Sequence, residues 1–458
     1  MTKRQRLVLA ISILAAFVAF LDGSVINVAL PAISRSLGGA LTTQQWVVDA
    51  YLITLGSLIL VAGSLSDVYG RIAVLRWGLI GFGATSLLCA LAPSAEFLIV
   101  SRALQGIAGA LLVPSSLALI MSTFRGIAQA KAIGVWTGWT SAAFVAGPLL
   151  GGLFVDLVSW RLIFAINVLP IAVTLWLLFI LRQSDERESG VAIDYASAIL
   201  AVVGVGASVF ALIEQGNYGW GSPVIFLPMA VGILAFAAFL WRQKRAKQPM
   251  MPLGLFRVRN FGMGNIATTF IYAALSLGSF LLAVFLQQVG GYPATLAAIA
   301  ILPVTIILML LSSRFGTLSG RHGPRLFMTV GPIIAGVGFL LMLSVTAEVN
   351  YWTQLLPGVL LFGLGLSVTV APLTAAILGS ISERQSGIGS AINNAVARVA
   401  GLIAIAMLGV ISGTQLDLAG FRRGLAVTAT LLILGGLVSA AGIRNPAAVA
   451  SVTEAAPQ

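Results

Sequence analysis

The stretch GSLSDVYGR, residues 63 to 71, returns as GTLSGRHGPR at residues 316 to 325. Both copies share the pattern G-x-L-S-x-x-x-G with a basic residue just after it, although Gly320 stands where the first copy has Asp67. Each copy follows a long apolar run, and the span count below puts both copies on the same side of a membrane. The repeat therefore predicts two parallel halves related by an axis along the membrane normal.

The composition is that of a membrane protein. Of the 458 residues, 59% are hydrophobic and 9% are charged, against about 25% charged in soluble domains. The mean hydropathy is +1.03. The 26 basic residues outnumber the 14 acidic ones, and in such a chain this excess belongs to loops on one membrane face rather than to a nucleic-acid site. These values predict an all-α polytopic membrane protein.

A helix needs about 20 apolar residues to cross about 30 Å of hydrocarbon. This criterion predicts fourteen spans. They lie near residues 7–33, 45–66, 77–93, 97–122, 132–155, 161–181, 195–214, 223–241, 261–287, 294–312, 326–347, 352–378, 388–412 and 424–443.

The amino terminus and the loops that follow even-numbered spans together hold most of the basic residues. This bias predicts a multi-pass plasma-membrane protein with both termini in the cytoplasm. MTKRQR is then the start of an uncleaved first span. The predicted organisation is a six-helix half at 1–182, two inserted helices at 183–241, a basic cytoplasmic connector at 242–260, a second six-helix half at 261–443 and a tail at 444–458.

The sequence lacks the residues that enzymatic or metal chemistry would need. Cys89 is the single cysteine and lies in an apolar run, and His322 is the single histidine, predicted to lie in a polar loop. There is no G-x-x-x-x-G-K-[ST] and no H-E-x-x-H, which argues against ATP-driven pumping and zinc hydrolysis. We predict no cofactor, no metal and no enzymatic activity.

Three charges fall in one layer of the predicted bundle. Asp22, in FLDGSVINVALP (20–31), and Arg102 both lie about 8 Å below the outer edge of the hydrocarbon, and Asp49 about 6 Å. A charge alone in the core costs about 2.5–3.5 kcal/mol on insertion scales, which favours a shared polar cavity. Asp22 would be a proton carrier or a structural partner of Arg102, and Asp49 a proton-coupling residue or a solvated helix end.

Further polar and aromatic residues inside the spans predict the substrate cavity. Span 4 places Gln105, Gly106 and Gly109 on the face of Arg102, and span 13 holds Arg398 with no acidic partner evident. Glu214 is expected at the membrane interface rather than in transport. The predicted cavity residues are Asn27, Gln105, Trp136, Asn393 and Arg398.

Glycines indicate close packing and bending at two places. Span 5 contains Gly134, Gly138, Gly147, Pro148, Gly151 and Gly152, which predicts a bent helix that serves either packing or a hinge between halves. After span 2, Gly63, Asp67, Gly70 and Arg71 form either a cytoplasmic gate or an ordinary polar loop.

These motifs resemble those of the fourteen-span drug/proton antiporters of the major facilitator superfamily, over nearly the whole length. The likeness rests on four ordered motifs: LDGSVINVALP (21–31), GSLSDVYGR (63–71), RALQGIAGA (102–110) and the run from Gly147 to Gly152. The resemblance implies the major facilitator fold, two six-helix halves plus two inserted helices. It also implies that Asp22 carries the proton and contacts substrate, that Arg102 tunes its proton affinity, and that Asp67 and Arg71 belong to the gate.

The chain departs from this family's pattern at two points. Ala143 stands where span 5 usually has Gly, and span 10 has no acid, which argues against a broad range of dicationic substrates. The implied function is proton-coupled efflux of small amphipathic or hydrophobic compounds, drugs among them, by alternating access. A dedicated exporter of one metabolite or endogenous antibiotic is an alternative, and a transport-inactive receptor or scaffold is another. The expected partners are substrate, protons and membrane lipid, with no nucleic acid and no obligate protein.

Overall fold

The computed structural model describes residues 1–181, 193–346, 348–382, 385–413 and 416–445. Within them it has fourteen helices long and apolar enough to cross a membrane, which confirms the predicted number. In chain order, spans 1 to 14 are Lys3–Leu37, Leu41–Ser66, Arg71–Ala90, Ala95–Thr123, Lys131–Leu157, Leu162–Leu181, Tyr195–Tyr218, Pro223–Arg245, Arg259–Gln288, Ala294–His322, Pro324–Ser344, Tyr351–Leu378, Ser386–Ser412 and Leu418–Gly442. The boundary predicted after residue 182 and most of the tail predicted at 444–458 lie outside the described residues.

Two spans are interrupted and several begin with a capping side chain. Span 6 consists of Leu162–Ala165 and Val168–Leu181, and span 13 of Ser386–Ala406 and Leu408–Ser412. A side-chain oxygen at the cap position accepts a hydrogen bond from the first turn and satisfies a backbone N–H that has no helical partner. The capping residues are Thr2, Ser94, Asp194, Ser222, Asn350 and Asp417.

The two copies of the repeat have the same backbone course. The helix of span 2 continues to Tyr69 and that of span 10 to His322, so most of each copy is helical rather than loop, and His322 ends a helix instead of lying in a loop. A helix satisfies its own backbone groups and can continue with polar residues beyond the hydrocarbon. Gly70 (φ +97°) and Gly323 (φ +84°) make the turn into the next span, in a left-handed conformation that favours glycine.

The packing of the spans follows the repeat. Spans 1 to 6, here called the first half, pack mainly on one another, and so do spans 9 to 14, the second half. The halves meet chiefly where span 2 packs on span 13 and where span 5 packs on span 10. Because span 2 corresponds to span 10 and span 5 to span 13, these contacts are equivalent under one twofold relation. Spans 7 and 8 pack on each other, and span 7 also touches spans 2 and 13.

The even number of spans puts the start of span 1 and the end of span 14 on one side of the bundle, here called the terminal face. The opposite side is the distal face, and there the halves are joined by hydrogen bonds. Asp156 accepts bonds from the backbone N–H groups of Ala294 and Thr295 at 3.0 and 2.7 Å. The Gln287 amide donates to Val28 O at 2.9 Å, and that of Gln45 donates to Ile405 O at 2.6 Å.

Span 5 shows which of its glycines serve close packing. A Cβ at Gly147 or Gly151 would collide with span 1, and one at Gly152 would lie 2.6 Å from the Cα of Thr295 in span 10. Gly134 and Gly138, nearer the terminal face, are exposed, and a Cβ added at either would have no atom within 4 Å. The distal half of span 5 is therefore packed tightly against both halves, and its terminal half is not. At the distal face the two halves are therefore in direct contact.

Candidate functional site

The centre of the first half is a polar network built around Asp22. Its side chain is fully buried and accepts three hydrogen bonds. Arg102 Nη1 donates to Oδ2 at 2.6 Å, while Gln105 Nε2 and Asn167 Nδ2 each donate to Oδ1 at 3.0 Å. Charged and polar donors on a buried carboxylate offset the cost of removing it from water. The structure thus brings Asp22, Arg102 and Gln105 together.

Arg102 has further partners besides Asp22. Its Nε donates to Val47 O at 3.1 Å and its Nη1 also reaches Gln105 Oε1 at 2.6 Å. The guanidinium carbon lies 4.2 Å from the centre of the Tyr51 ring, a cation–π distance. The cation therefore keeps several favourable contacts when the carboxylate is neutralised, and protonation of Asp22 would not leave Arg102 isolated.

The tight contact between spans 2 and 4 holds this arginine in place. A Cβ at Gly106 would collide with Thr54 Oγ1 and Tyr51 O, and one at Gly109 would lie 3.2 Å from the Tyr51 hydroxyl. The Thr54 hydroxyl donates to Ala103 O at 2.8 Å across the same contact. The small residues predicted on this face of span 4 thus let span 2 approach closely enough for Tyr51 to lie against Arg102.

Two members of the network were missed from the sequence. Asn167 lies in the interruption of span 6, where the backbone is not a continuous helix, and Ser86 of span 3 accepts from Gln105 Nε2 at 2.9 Å. The Oδ1 of Asn167 is buried and has no hydrogen-bond partner. An asparagine shortly before a proline inside the apolar stretch FAINVLP was the available signal for Asn167. No comparable signal marks Ser86.

Asp49 is not part of this network. It is fully buried in span 2, and both of its carboxylate oxygens lack a hydrogen-bond partner. It lies one helical turn from Gln45, which bonds to span 13, so it belongs to the region where the two halves meet. The structure therefore separates Asp49 from the Asp22 network that the depth estimate grouped it with.

The remaining predicted cavity residues lie at different places. Asn27 is partly buried next to the distal contacts of span 1. Trp136 donates from Nε1 to Ser12 O at 3.2 Å and lies edge-on to Phe20, which ties span 5 to span 1. Asn393 belongs to the second half, where its amide donates to Asn265 Oδ1 at 3.2 Å and Thr268 Oγ1 at 2.9 Å.

Arg398 lies where the halves meet. A Cβ at Gly56 of span 2 would be 3.4 Å from the Arg398 Cβ, so the two backbones pass close together here. The Arg398 Nε is buried without a hydrogen-bond partner. Within the described residues Arg398 has neither an ion pair nor a hydrogen bond.

Two predicted features lie near the surface. The side chain of Asp67 is outside what the structure describes, whereas Gly63 has open space around it and Gly70 makes the turn described above. Arg71 is the first residue of span 3 and is partly buried. Glu214 accepts from Trp46 Nε1 at 2.7 Å, which docks the inserted span 7 on span 2 near the distal face.

A bundle of two related six-helix halves, with one buried carboxylate held by an arginine and two amides, defines a membrane transporter that works on small solutes. The chain belongs to the Major Facilitator Superfamily, whose pattern it matches over residues 12–405. The predicted resemblance and fold class are thereby confirmed. Within the residues that the structure describes, no group of three or more His, Cys, Asp or Glu side chains is placed to hold a metal ion.

Two named relatives match this chain over most of its length. The chain is 34% identical over 424 residues to the methylenomycin A resistance protein of Bacillus subtilis (strain 168), covering 90% of each chain. It is 33% identical over 416 residues to the multidrug resistance protein Stp of Mycobacterium tuberculosis (strain CDC 1551 / Oshkosh), covering 89% of this chain and 76% of the relative.

Among solved structures, a D-xylose–proton symporter superimposes with a TM-score of 0.66 at 13% identity, covering 96% of this chain and 97% of the other. At that identity the likeness shows the fold alone.

Proposed function

We propose that this chain exports small amphipathic or hydrophobic compounds, drugs among them, in exchange for protons by alternating access. The observation that carries the proposal is the buried carboxylate of Asp22, the single acid in the central network, held by Arg102, Gln105 and Asn167. The relatives named for multidrug and methylenomycin A resistance support the efflux of drugs. The protein then acts in the bacterial cytoplasmic membrane, with the terminal face on the cytoplasmic side, as the loop charges favour.

The network supplies a physical route for proton binding. In the state described here, the ionised carboxylate is balanced by the guanidinium at 2.6 Å. If spans 1 and 4 shift against each other during the change of state and the pair separates, the buried carboxylate loses its counterion. A buried acid without a counterion costs far less free energy in its neutral form than as the anion. Arg102 keeps its contacts with Val47 O and Tyr51 in that step. Proton uptake at Asp22 can therefore accompany the change of state.

The proton gradient supplies enough free energy for this task. One proton yields about 2.3 kcal/mol per 100 mV of membrane potential and about 1.4 kcal/mol per pH unit. At 100 mV and one pH unit the sum is about 3.7 kcal/mol, which supports a substrate ratio of about 500-fold.

A transport assay tests the proposal. The purified protein is placed in liposomes, a pH gradient is imposed, and accumulation of the lipophilic cation rhodamine 123 is followed for wild type, Asp22→Asn and Glu96→Gln. Glu96 is an exposed acid at the distal face and controls for the loss of a carboxylate. We expect Asp22→Asn to abolish gradient-driven accumulation and Glu96→Gln to retain it. Full gradient-driven transport by Asp22→Asn would remove Asp22 as the coupling residue.

Asp49 is a second candidate for proton binding within the same mechanism. Its buried oxygens have no partner, and it lies where span 2 approaches span 13. Asp49→Asn tests this in the same liposomes: a change in the number of protons exchanged per substrate would assign it a role in coupling. Unchanged stoichiometry and rate would assign it to the structure of the helix.

A further inference from the structure

Arg398 is a cation without a counterion in the middle of the bundle, as far as the described residues extend. It lies twelve residues after Ser386, where span 13 begins, and thus about 18 Å along the helix. A positive charge at that depth is costly unless it pairs or faces water. Spans 9 to 14 contain no Asp or Glu at all, and the buried carboxylate of Asp22 is already bound to Arg102. The described part of the chain therefore keeps an uncompensated cation in its centre.

The surroundings of Arg398 place it toward the space between the halves. Its Cβ side faces Gly56 of span 2. The side chain is partly exposed although its helix is packed on spans 2, 7 and 9. Arg398 thus lies where a helix of the second half approaches a helix of the first.

Among the described residues, the guanidinium of Arg398 lacks acceptors. Its Nε is buried and has no hydrogen-bond partner. Buried donors without acceptors are costly in an empty site and favour a ligand that supplies acceptor oxygens. A guanidinium without a counterion matches a carboxylate or a similar oxyanion.

We propose that Arg398 binds an anionic group on the transported compound. The chain then favours amphipathic acids and zwitterions over compounds that carry only positive charge. This inference rests on the proposed export function and specifies its substrate class. The missing acid in the second half fits it, since a site for cations would need a carboxylate where this chain has Arg398.

A matched pair of dyes tests the site directly. Rhodamine 110 carries a free carboxylate and rhodamine 123 is its methyl ester, so that the two share the same cationic body and differ at one anionic group. Binding of each dye is measured by fluorescence anisotropy with the protein in lipid nanodiscs. The variants are Arg398→Gln, Arg398→Lys and, as a control for the loss of a second-half cation, Arg422→Gln. The Arg422 guanidinium donates to Val345 O at 2.8 Å, away from the centre.

We expect wild type to bind the acid more tightly than the ester. Arg398→Gln should weaken binding of the acid about tenfold or more, the value of a charge-assisted hydrogen bond, and change binding of the ester less than about twofold. Arg398→Lys should fall between, because a lysine keeps the charge but not the planar donors. Arg422→Gln should retain the preference for the acid.

Three results would overturn the site: no binding of the acid by wild type, a preference for the ester, or an equal loss of both dyes in Arg398→Gln. Size-exclusion profiles of each variant establish that it is folded. If any of these results is obtained while efflux of the ester still depends on Asp22, only the anionic site is refuted. The proposal of proton-coupled export is then retained.

Discussion

Asp156 joins the halves at the distal face through the first turn of span 10. Its two carboxylate oxygens accept from Ala294 N at 3.0 Å and from Thr295 N at 2.7 Å. These donors have no helical partner, and they carry the positive end of the helix dipole. Asp156→Ala removes two hydrogen bonds between the halves, since the acceptor belongs to the first half and the donors to the second. The change therefore weakens the state that is closed at the distal face.

The size of the effect follows from the geometry. Removing a capping carboxylate costs about 0.5–2 kcal/mol, and the exposure of Asp156 to solvent puts the value in the lower part of that range, at about 1 kcal/mol. This corresponds to a shift of about fivefold in the equilibrium toward the state open at the distal face. The effect should shrink at high salt, since its electrostatic part is screened.

Double electron–electron resonance measures this shift. Spin labels at Ser36→Cys and Thr353→Cys, exposed positions on opposite halves near the distal face, report their separation in a Cys89→Ala background. Asp417→Ala is the matched control, because Asp417 caps Gly420 N of its own half at 2.6 Å.

We expect the longer-distance population to rise in Asp156→Ala and to stay at the wild-type value in the Asp417 control. Equal distributions in the two variants would refute the idea that Asp156 biases the equilibrium between states.

Three further predictions concern single residues. Asn167→Ala should shift the pH dependence of gradient-driven transport while the protein stays folded, because one of three donors to the central carboxylate is lost; transport against pH in liposomes measures it. Gly152→Ala should slow transport strongly, since its Cβ would collide with span 10. Gly138→Ala should not, because its Cβ would have no atom within 4 Å. Transport rates of the two variants are compared in liposomes at equal protein density. Burial alone would raise the pKa of Asp194, but hydrogen bonds from Arg242 and Ser197 outweigh it and lower the pKa. The contact therefore stabilises the fold above pH about 4, and this stabilisation is lost as the pH falls through the lowered pKa. The melting temperature of Asp194→Asn should lie slightly below that of wild type at pH about 7 and approach it in acid.

Much of the fold could be predicted because a bilayer imposes a length and a polarity on each helix. The number of spans, the repeat and the glycine-lined contact of span 4 follow from apolar run length and from residue spacing. The ends of the helices did not follow, because helices such as span 10 continue with polar residues to His322. Hydropathy marks where hydrocarbon ends, whereas the turn is set by the conformation of Gly323.

The depth of the candidate site residues in the membrane could be predicted, but the direction in which each side chain points from its helix could not. Counting about 1.5 Å per residue puts Asp22 and Arg102 at one level, and the structure has them in contact. The same count put Asp49 at nearly that level, yet its carboxylate has no partner. The rotation of each helix about its axis decides this, and it depends on packing against several neighbours at once. Asn167 was not predicted because it lies at a break in span 6, where helical spacing does not apply.

The position of Tyr51 explains how the two halves can act on each other. Every group that bonds to Asp22 belongs to the first half, so a rigid rotation of the halves leaves that network intact by itself. Tyr51 also belongs to the first half and lies against Arg102 at 4.2 Å. It is carried by span 2, which packs on span 13, the helix that carries Arg398. A ligand bound at Arg398, or its removal when the halves separate, can therefore act on Arg102 through span 2 and Tyr51, and such a change can start the shift of span 4 against span 1.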